Sequence, residues 1–306
     1  MKVLVTGGAG FIGSHLTDRL IKEGHTVVVL DNLLSGKKKN INKEAIFYKA
    51  DILNASRLER IFTKEKPRLI CHYAAQIDVR KSVDDPVFDV TANVIGLLNV
   101  LQTAVKNGGQ KVIFASSGGA AYGEQSVFPA TEEHETHPLS PYGISKLASE
   151  HYLYYYQKVR GLESAVLRFA NVYGPRQDSH GEAGVVAIFA KKLIDGVQTI
   201  INGNGMQTRD YVYVDDVVDA NMAVINGSLH DTFNVGTGKE TSVNDLFSAL
   251  LKETQTKVTA FHGMEKKGEQ RRSCISSEKL HKATGWEART SLAEGLARTV
   301  QHIKGK

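Results

Sequence analysis

The sequence predicts an α/β protein: a doubly wound parallel sheet followed by a smaller α/β domain. Three observations carry that reading. Six short apolar runs alternate with longer amphipathic segments over residues 1–170. A glycine-rich turn joins the first run directly to the first amphipathic segment. From about Asn171 the alternation becomes irregular and the composition loopier, with no low-complexity linker and no internal repeat. The expected division is 1–170, with a strand and helix returning to it near 210–238, and 171–306.

The elements follow in order. Lys2-Val3-Leu4-Val5-Thr6 is a strand that runs into Gly7-Gly8-Ala9-Gly10-Phe11-Ile12-Gly13. Ile12, Leu16, Leu20 and Ile21 then share one helical face, and Thr26-Val27-Val28-Val29-Leu30 is a second strand ending at Asp31. Gly7 and Gly10 allow a tight turn whose backbone can approach a pyrophosphate, and Gly13 lets the helix pack close to the strand. The helix N-terminus offers its N–H groups to phosphate. Asp31 stands where an acid meets the ribose hydroxyls and repels a 2′-phosphate, so this Rossmann-type unit favours NAD over NADP. Lys37, Lys38 and Lys39 read as a solvated loop.

Ile46-Phe47-Tyr48, Arg68–His72, Lys111–Ala115 and Ala165–Phe169 read as four further strands. The longest helix spans about Val87 to Val105, with an apolar face of Val90, Val94, Leu97, Leu98, Leu101 and Val105. Such βα repeats place ligands beyond the strand C-termini. Asp51-Ile52, Ala74-Ala75-Gln76, Ser116-Ser117 and Asn171 each follow a strand and so converge on one crevice. The cofactor positions assigned there are Gly7, Gly10, Phe11, Ile12, Gly13, Asp31, Asn32, Asp51, Ile52, Ala74, Ala75, Gln76 and Asn93, with Tyr142 and Lys146.

Ser140 is a good N-cap and Pro141 suits the first position of the helix after it. Tyr142 and Lys146, four residues apart, then share a face. An ammonium near a phenol favours the phenolate, which makes a general base. Moving a phenol from about 10 to about 7 needs roughly 4 kcal/mol, more than one lysine supplies. A second fixed positive charge, such as an oxidised nicotinamide ring, would help.

With Thr6–Gly13, Ala74-Ala75-Gln76, Phe114-Ala115-Ser116-Ser117, the Tyr142/Lys146 pair, Leu167–Pro175, Gln207–Val212 and Asn234–Gly238, the chain resembles the extended short-chain dehydrogenase/reductase family over nearly its whole length. Within it, the chain is most similar to the NAD-dependent nucleotide-sugar 4-epimerases. The resemblance implies 4-epimerisation of a UDP-sugar through a transient 4-keto sugar, with NAD tightly bound and regenerated each turnover. Tyr142 would take the proton of the sugar 4-hydroxyl, Lys146 would hold the nicotinamide ribose, and Ser117 would bind the 4-oxygen. Ser116 is the alternative serine, because the Ser117–Tyr122 loop is one residue longer than in many relatives.

The resemblance also makes 171–306 the sugar-nucleotide-binding part. Asn171 would contact the substrate pyrophosphate or sugar, Arg209 its phosphates, and Lys266 and Glu269 phosphate and uridine ribose. Lys266 stands where the family usually has arginine, which removes a bidentate contact; Lys267 or Arg271 could compensate. Ser273 matches the family's gatekeeper beside the sugar C2 position, and a small residue there would admit N-acetylhexosamines as well as hexoses. The Pro141 helix and the one near 87–105 would form a homodimer interface; Tyr152, Tyr154, Tyr155 and Tyr156 read as packing.

With 306 residues the chain can bury a large core. It begins with a core strand rather than a leader, and no apolar run approaches membrane-spanning length. Cys71 and Cys274 do not make a disulfide scaffold, so cytoplasm is the expected compartment and no membrane the expectation. The net charge of +5 is modest and no nucleic-acid motif accompanies it. His134-x-x-His137 lacks a second cluster and reads as a polar loop, so no metal is expected. Gly118 and Gly119 stand where a 4,6-dehydratase or a UDP-glucuronate decarboxylase would need acids. A UDP-glucuronate 4-epimerase using Arg271, Arg272 or Lys81 stays open, as does a net reductase with exchangeable cofactor. An NAD-sensing regulator on the same fold would not need Tyr142, Lys146 and the serines together.

Overall fold

A computed structural model describes residues 1–179, 184–265 and 270–305. Its strands in chain order are β1 (Lys2–Thr6), β2 (Thr26–Asp31), β3 (Ile46–Lys49), β4 (Leu69–His72), β5 (Lys111–Ser117), β6 (Glu163–Phe169) and β7 (Asn171–Tyr173). They continue with β8 (Thr199–Asn202), β9 (Thr208–Tyr213), β10 (Thr232–Val235), β11 (Glu240–Ser242), β12 (Ala260–Gly263) and β13 (Arg272–Ser273). Seven form one sheet in the order β10-β6-β5-β4-β1-β2-β3. Every pair in it is parallel. The order reverses between β1 and β4, which is the switch point where such sheets open a crevice.

Strand periodicity explains why both faces are covered. Val3, Val5, Val27, Val29 and Cys71 face one side, where helices Phe11–Lys22 and Val214–Asn226 bring Leu16, Leu20, Val217 and Val224. Leu4, Val28, Ile70, Val112 and Phe114 face the other, under Leu58, Phe62, Leu97 and Leu101. Each such side chain contributes about 1.5–3 kcal/mol on burial. The short runs of β-branched residues therefore suit a parallel sheet buried on both sides. A further core under Phe189, Leu193, Tyr213, Leu246 and Leu296 belongs to the later half of the chain.

The strand expected to return near Asp210 requires a correction. β9 lies in a separate sheet, between antiparallel β11 and parallel β13, with β7 also paired to it. The helix after it, Val214–Asn226, and β10 are the segments that rejoin the large sheet. β9 alternates outside the large sheet's register because its partners are themselves strands of the later half.

The long helix also differs from expectation. It runs from Pro86 to Lys106 and contains an 18-residue stretch with a mean hydropathy of 1.3, so among the described residues one helix does reach membrane-spanning length and apolarity. Half of that stretch is buried inside the protein. Leu97, Val100, Leu101 and Ala104 are fully buried on the large sheet, while Val87, Val90 and Ile95 are exposed. A π-helical turn at Thr91–Ile95 interrupts it. Of the four tyrosines assigned to packing, Tyr156 is buried, but Tyr152, Tyr154 and Tyr155 are exposed along the Pro141–Arg160 helix.

Candidate active site

The crevice begins at the glycine turn. Gly7 has φ +69°, and a Cβ on it would lie 2.6 Å from the Ala74 nitrogen, so only glycine lets the ends of β1 and β4 meet here. A Cβ on Gly13 would come 2.5 Å from the Gly7 carbonyl oxygen. Gly10 caps the Phe11–Lys22 helix without a side-chain hydrogen bond, leaving Phe11 and Ile12 at an uncapped N-terminus. Asp31 is buried, and its carboxylate accepts from Ala9 N at 3.0 Å and Leu33 N at 2.8 Å. That ties the acid to the back of the glycine turn. A cradle open to backbone approach, an uncapped helix start and an acid at the end of β2 fit a dinucleotide.

The flanking positions are anchored in three separate groups. Asn32 donates to Asp51 at 2.8 Å, and Asp51 also accepts from Leu53 N at 2.8 Å. The Ile52 side chain packs against Gly96 of the long helix. Ala74 N donates to Thr6 Oγ1 at 3.3 Å, and that hydroxyl also bonds His72 Nδ1 at 2.9 Å. His72 stacks on Phe114, and burial followed by the charge of Lys146 holds its pKa down at about 3. Gln76 N donates to Asn93 Oδ1 at 2.8 Å, and Asn93 Nδ2 returns to Gln76 O at 3.0 Å. Ala75 lies between these two anchored residues.

The helix Pro141–Arg160 packs on β5 and β6 and against the long helix. Ser140 accepts from Gly143 N at 3.1 Å, as its N-cap position requires, and Ser82 Oγ accepts from Tyr142 N at 3.2 Å. Lys146 Nζ donates to the Ala115 carbonyl at 2.8 Å and sits 5.7 Å from the Tyr142 ring centre. The ammonium is thus held by the end of β5 rather than by the phenol. Burial, and then the charge of Asp89, pushes the Tyr142 phenol well above its ordinary value. Burial pulls Lys146 down to about 8 against the opposing effect of Asp89 and Glu150. Burial and Asp89 therefore leave Tyr142 a neutral phenol that Lys146 does not offset, and only added positive charge nearby would lower it.

The two serines separate by strand alternation. Ser116 is buried and donates to Glu150 Oε1 at 2.5 Å, which corrects its assignment as a sugar contact. Ser117, half-buried at the end of β5, caps the short helix Gly118–Tyr122, accepting from Ala120 N at 3.3 Å. Ser273 is buried, and a Cβ on Gly119 would lie 3.3 Å from its Oγ. Ser273 therefore abuts the turn that carries Ser117. It is also the register partner of Arg209, whose guanidinium donates to Thr208 O at 2.8 Å. Asp210 turns away from Arg209: it is buried and accepts from Thr237 N at 2.9 Å and Gly238 N at 3.1 Å. Asn171 is exposed at the start of β7, beside Tyr211. Lys266, Lys267 and Glu269 lie outside the described residues.

Sequence reasoning missed a buried network behind the helix. Glu150 receives Arg168 Nη2 at 2.6 Å and Nε at 3.1 Å, while Arg168 Nη1 donates to Tyr122 Oη at 2.9 Å. Tyr122 in turn donates to Asn234 Oδ1 at 2.8 Å. Two signals were available: Glu150 continues the i, i+4 row of Tyr142 and Lys146, and Arg168 interrupts an apolar strand. Asp89, within the long apolar helix, was missed in the same way.

Fold and site together define a dinucleotide-dependent sugar-nucleotide enzyme of the doubly wound α/β class. A family model described as the NAD dependent epimerase/dehydratase family matches residues 3–236, and the chain belongs to that family. It is 44% identical over 314 residues to a UDP-glucose 4-epimerase of Mycolicibacterium smegmatis, covering 100% of this chain and 99% of the relative. The crystal structure of a Thermotoga maritima UDP-glucose 4-epimerase with UDP-glucose superposes with a TM-score of 0.98 at 47% identity, covering 100% of this chain and 99% of that one. A Thermus thermophilus UDP-glucose 4-epimerase in complex with NAD gives a TM-score of 0.96 at 41% identity, with coverage of 100% and 99%.

Proposed function

We propose that this protein is an isomerase that interconverts UDP-sugars at C4 with NAD as its cofactor. The observation that carries the reading is Lys146, four residues after Tyr142 on one helix and anchored on the Ala115 carbonyl at the end of β5, in a chain of this family. NAD, when bound in that cradle, supplies hydride acceptance at C4 and its return. Tyr142 accepts the 4-hydroxyl proton and later restores it. Lys146, anchored on Ala115, keeps positive charge beside the phenol. Ser117, rather than Ser116, steadies the 4-oxygen. Asn171, Arg209 and the segment around Lys266 and Glu269 take the nucleotide. Tight retention of NAD makes the enzyme self-contained.

Ser273 against Gly119 leaves a small-residue wall, which supports acceptance of N-acetylhexosamines beside hexoses. The exposed apolar stripe of Val87, Val90, Ile144, Tyr152, Tyr155 and Val159 supports a homodimer. We assign 1–170 with the return segment to cofactor, 171–306 to substrate, and the cytoplasm as compartment.

The test is proton NMR of the purified protein with UDP-galactose or UDP-N-acetylgalactosamine and no added NAD. Conversion of both to the 4-epimers is expected. Conversion of UDP-galactose alone rejects the broad pocket, and N-acetyl turnover by Ser273→Tyr rejects Ser273 as its gate. No conversion of either sugar, with NAD supplied, refutes the activity.

A further inference from the structure

Asp89 is fully buried, and the groups bonded to its carboxylate are neutral. Oδ1 accepts from Gln76 Nε2 at 2.9 Å and from Asn93 Nδ2 at 3.1 Å. Oδ2 accepts from Ser145 Oγ at 2.7 Å. Glu150, the neighbouring buried carboxylate, is treated quite differently: Arg168 grips it with two nitrogens. A carboxylate held only by neutral donors in a dry interior is unfavourable unless a charge nearby answers it. Asp89 acts on the charge of Lys146, the residue after Ser145, whose ammonium it favours against burial.

The placement is also mechanical. Asp89 joins the three walls of the crevice: the loop after β4 through Gln76, the π-helical turn through Asn93, and the Tyr142/Lys146 helix through Ser145. π-turns recur at functional sites, and here the turn carries Asn93, which bonds both Gln76 and Asp89. Among the described residues, few charged or titratable groups face the pair. Asp89 faces Tyr142 and Lys146 from the long helix, Glu150 faces Lys146 from its own helix, and His72 faces it from β4. Arg168 on β6 is spent on Glu150, and His72 stays neutral.

We propose that Asp89 is a positioning residue of the reaction centre, the buried counter-charge to Lys146 that also locks the catalytic helix to the Gln76–Asn93 wall. It keeps the lysine cationic while the site is closed to water, and it holds Tyr142 as a phenol until positive charge arrives. This rests on the epimerase reading above, but its test does not require turnover.

The experiment is an NMR titration of the Lys146 side chain in protein carrying carbon-13 lysine, as purified, with the resonance assigned from Lys146→Arg. Asp89→Asn is nearly isosteric: its oxygen can still accept from Gln76 and Asn93, and its amide can donate to Ser145. The Lys146 midpoint should fall by about half a pH unit or more in this variant, roughly a threefold loss of proton affinity. Ser145→Ala removes a bond but no charge, and should leave the midpoint in place. An unmoved midpoint in Asp89→Asn, or an equal fall in Ser145→Ala, overturns the proposal whether or not the wild type epimerises UDP-galactose. If Asp89→Asn does not fold, Asp89→Ser makes the same comparison: a lowered midpoint supports the proposal and an unmoved one overturns it.

Discussion

Replacing Arg168 by methionine tests whether the buried pair behind the Pro141–Arg160 helix holds that helix in place. Arg168 and Glu150 are 7% and 8% exposed, so neither charge can turn to bulk water. Methionine keeps much of the aliphatic stem but removes every donor to Glu150, leaving it only the Ser116 hydroxyl. It also removes the donor to Tyr122 and the guanidinium 4.9 Å above that ring. Breaking a buried pair from one side costs about 3–5 kcal/mol. Unfolding entropy of about 2.1 cal/mol/K per residue, over 306 residues, gives roughly 0.6 kcal/mol/K. The melting temperature should therefore fall by roughly 5–8 °C, measured by calorimetry with NAD saturating in both proteins. Adding Glu150→Leu removes the stranded charge and should recover at least half of the loss. A drop in Arg168→Met of under about 2 °C, or no recovery in the double variant, would refute the reasoning.

Three further outcomes are expected. Tyr142→Phe should lower kcat about 10²–10⁴-fold while the protein still carries NAD, read by NMR turnover and by absorbance of released cofactor; equal loss of both would place Tyr142 in cofactor binding only. Gly13→Ala, whose Cβ would meet the Gly7 carbonyl at 2.5 Å, should abolish tight NAD binding by calorimetric titration with the fold preserved. His72 is held near 3 in the fold against an ordinary 6.5, so the unfolded chain binds the proton first as pH falls. Stability from this group is present above about 6.5 and is lost progressively toward 3, about 2 kcal/mol by pH 5. The fall in melting temperature between pH 7 and pH 5 should accordingly be shallower in His72→Asn, and an identical fall would exclude His72 as the cause.

Much of this protein was legible in the chain because the governing forces are local. Glycines at 7, 10 and 13 report a backbone that must turn and approach closely, and Asp31 follows at the end of β2. Ser140 and Pro141 announce a helix start, and the spacing of Tyr142 and Lys146 sets their common face before any tertiary contact forms. Tertiary structure alone decided the rest. β9 reads as well for one sheet as for another, and only its partners β7, β11 and β13 assign it. Ser116 and Ser117 are alike in sequence, yet strand alternation commits the first to Glu150 and leaves the second at the strand end. The direction of the Tyr142 shift depends on burial and on Asp89, which lies 53 residues earlier in the numbering. Desolvation and long-range charge arise only when distant segments meet, so a sequence can place Tyr142 and Lys146 on one face without revealing the electrostatics that govern them.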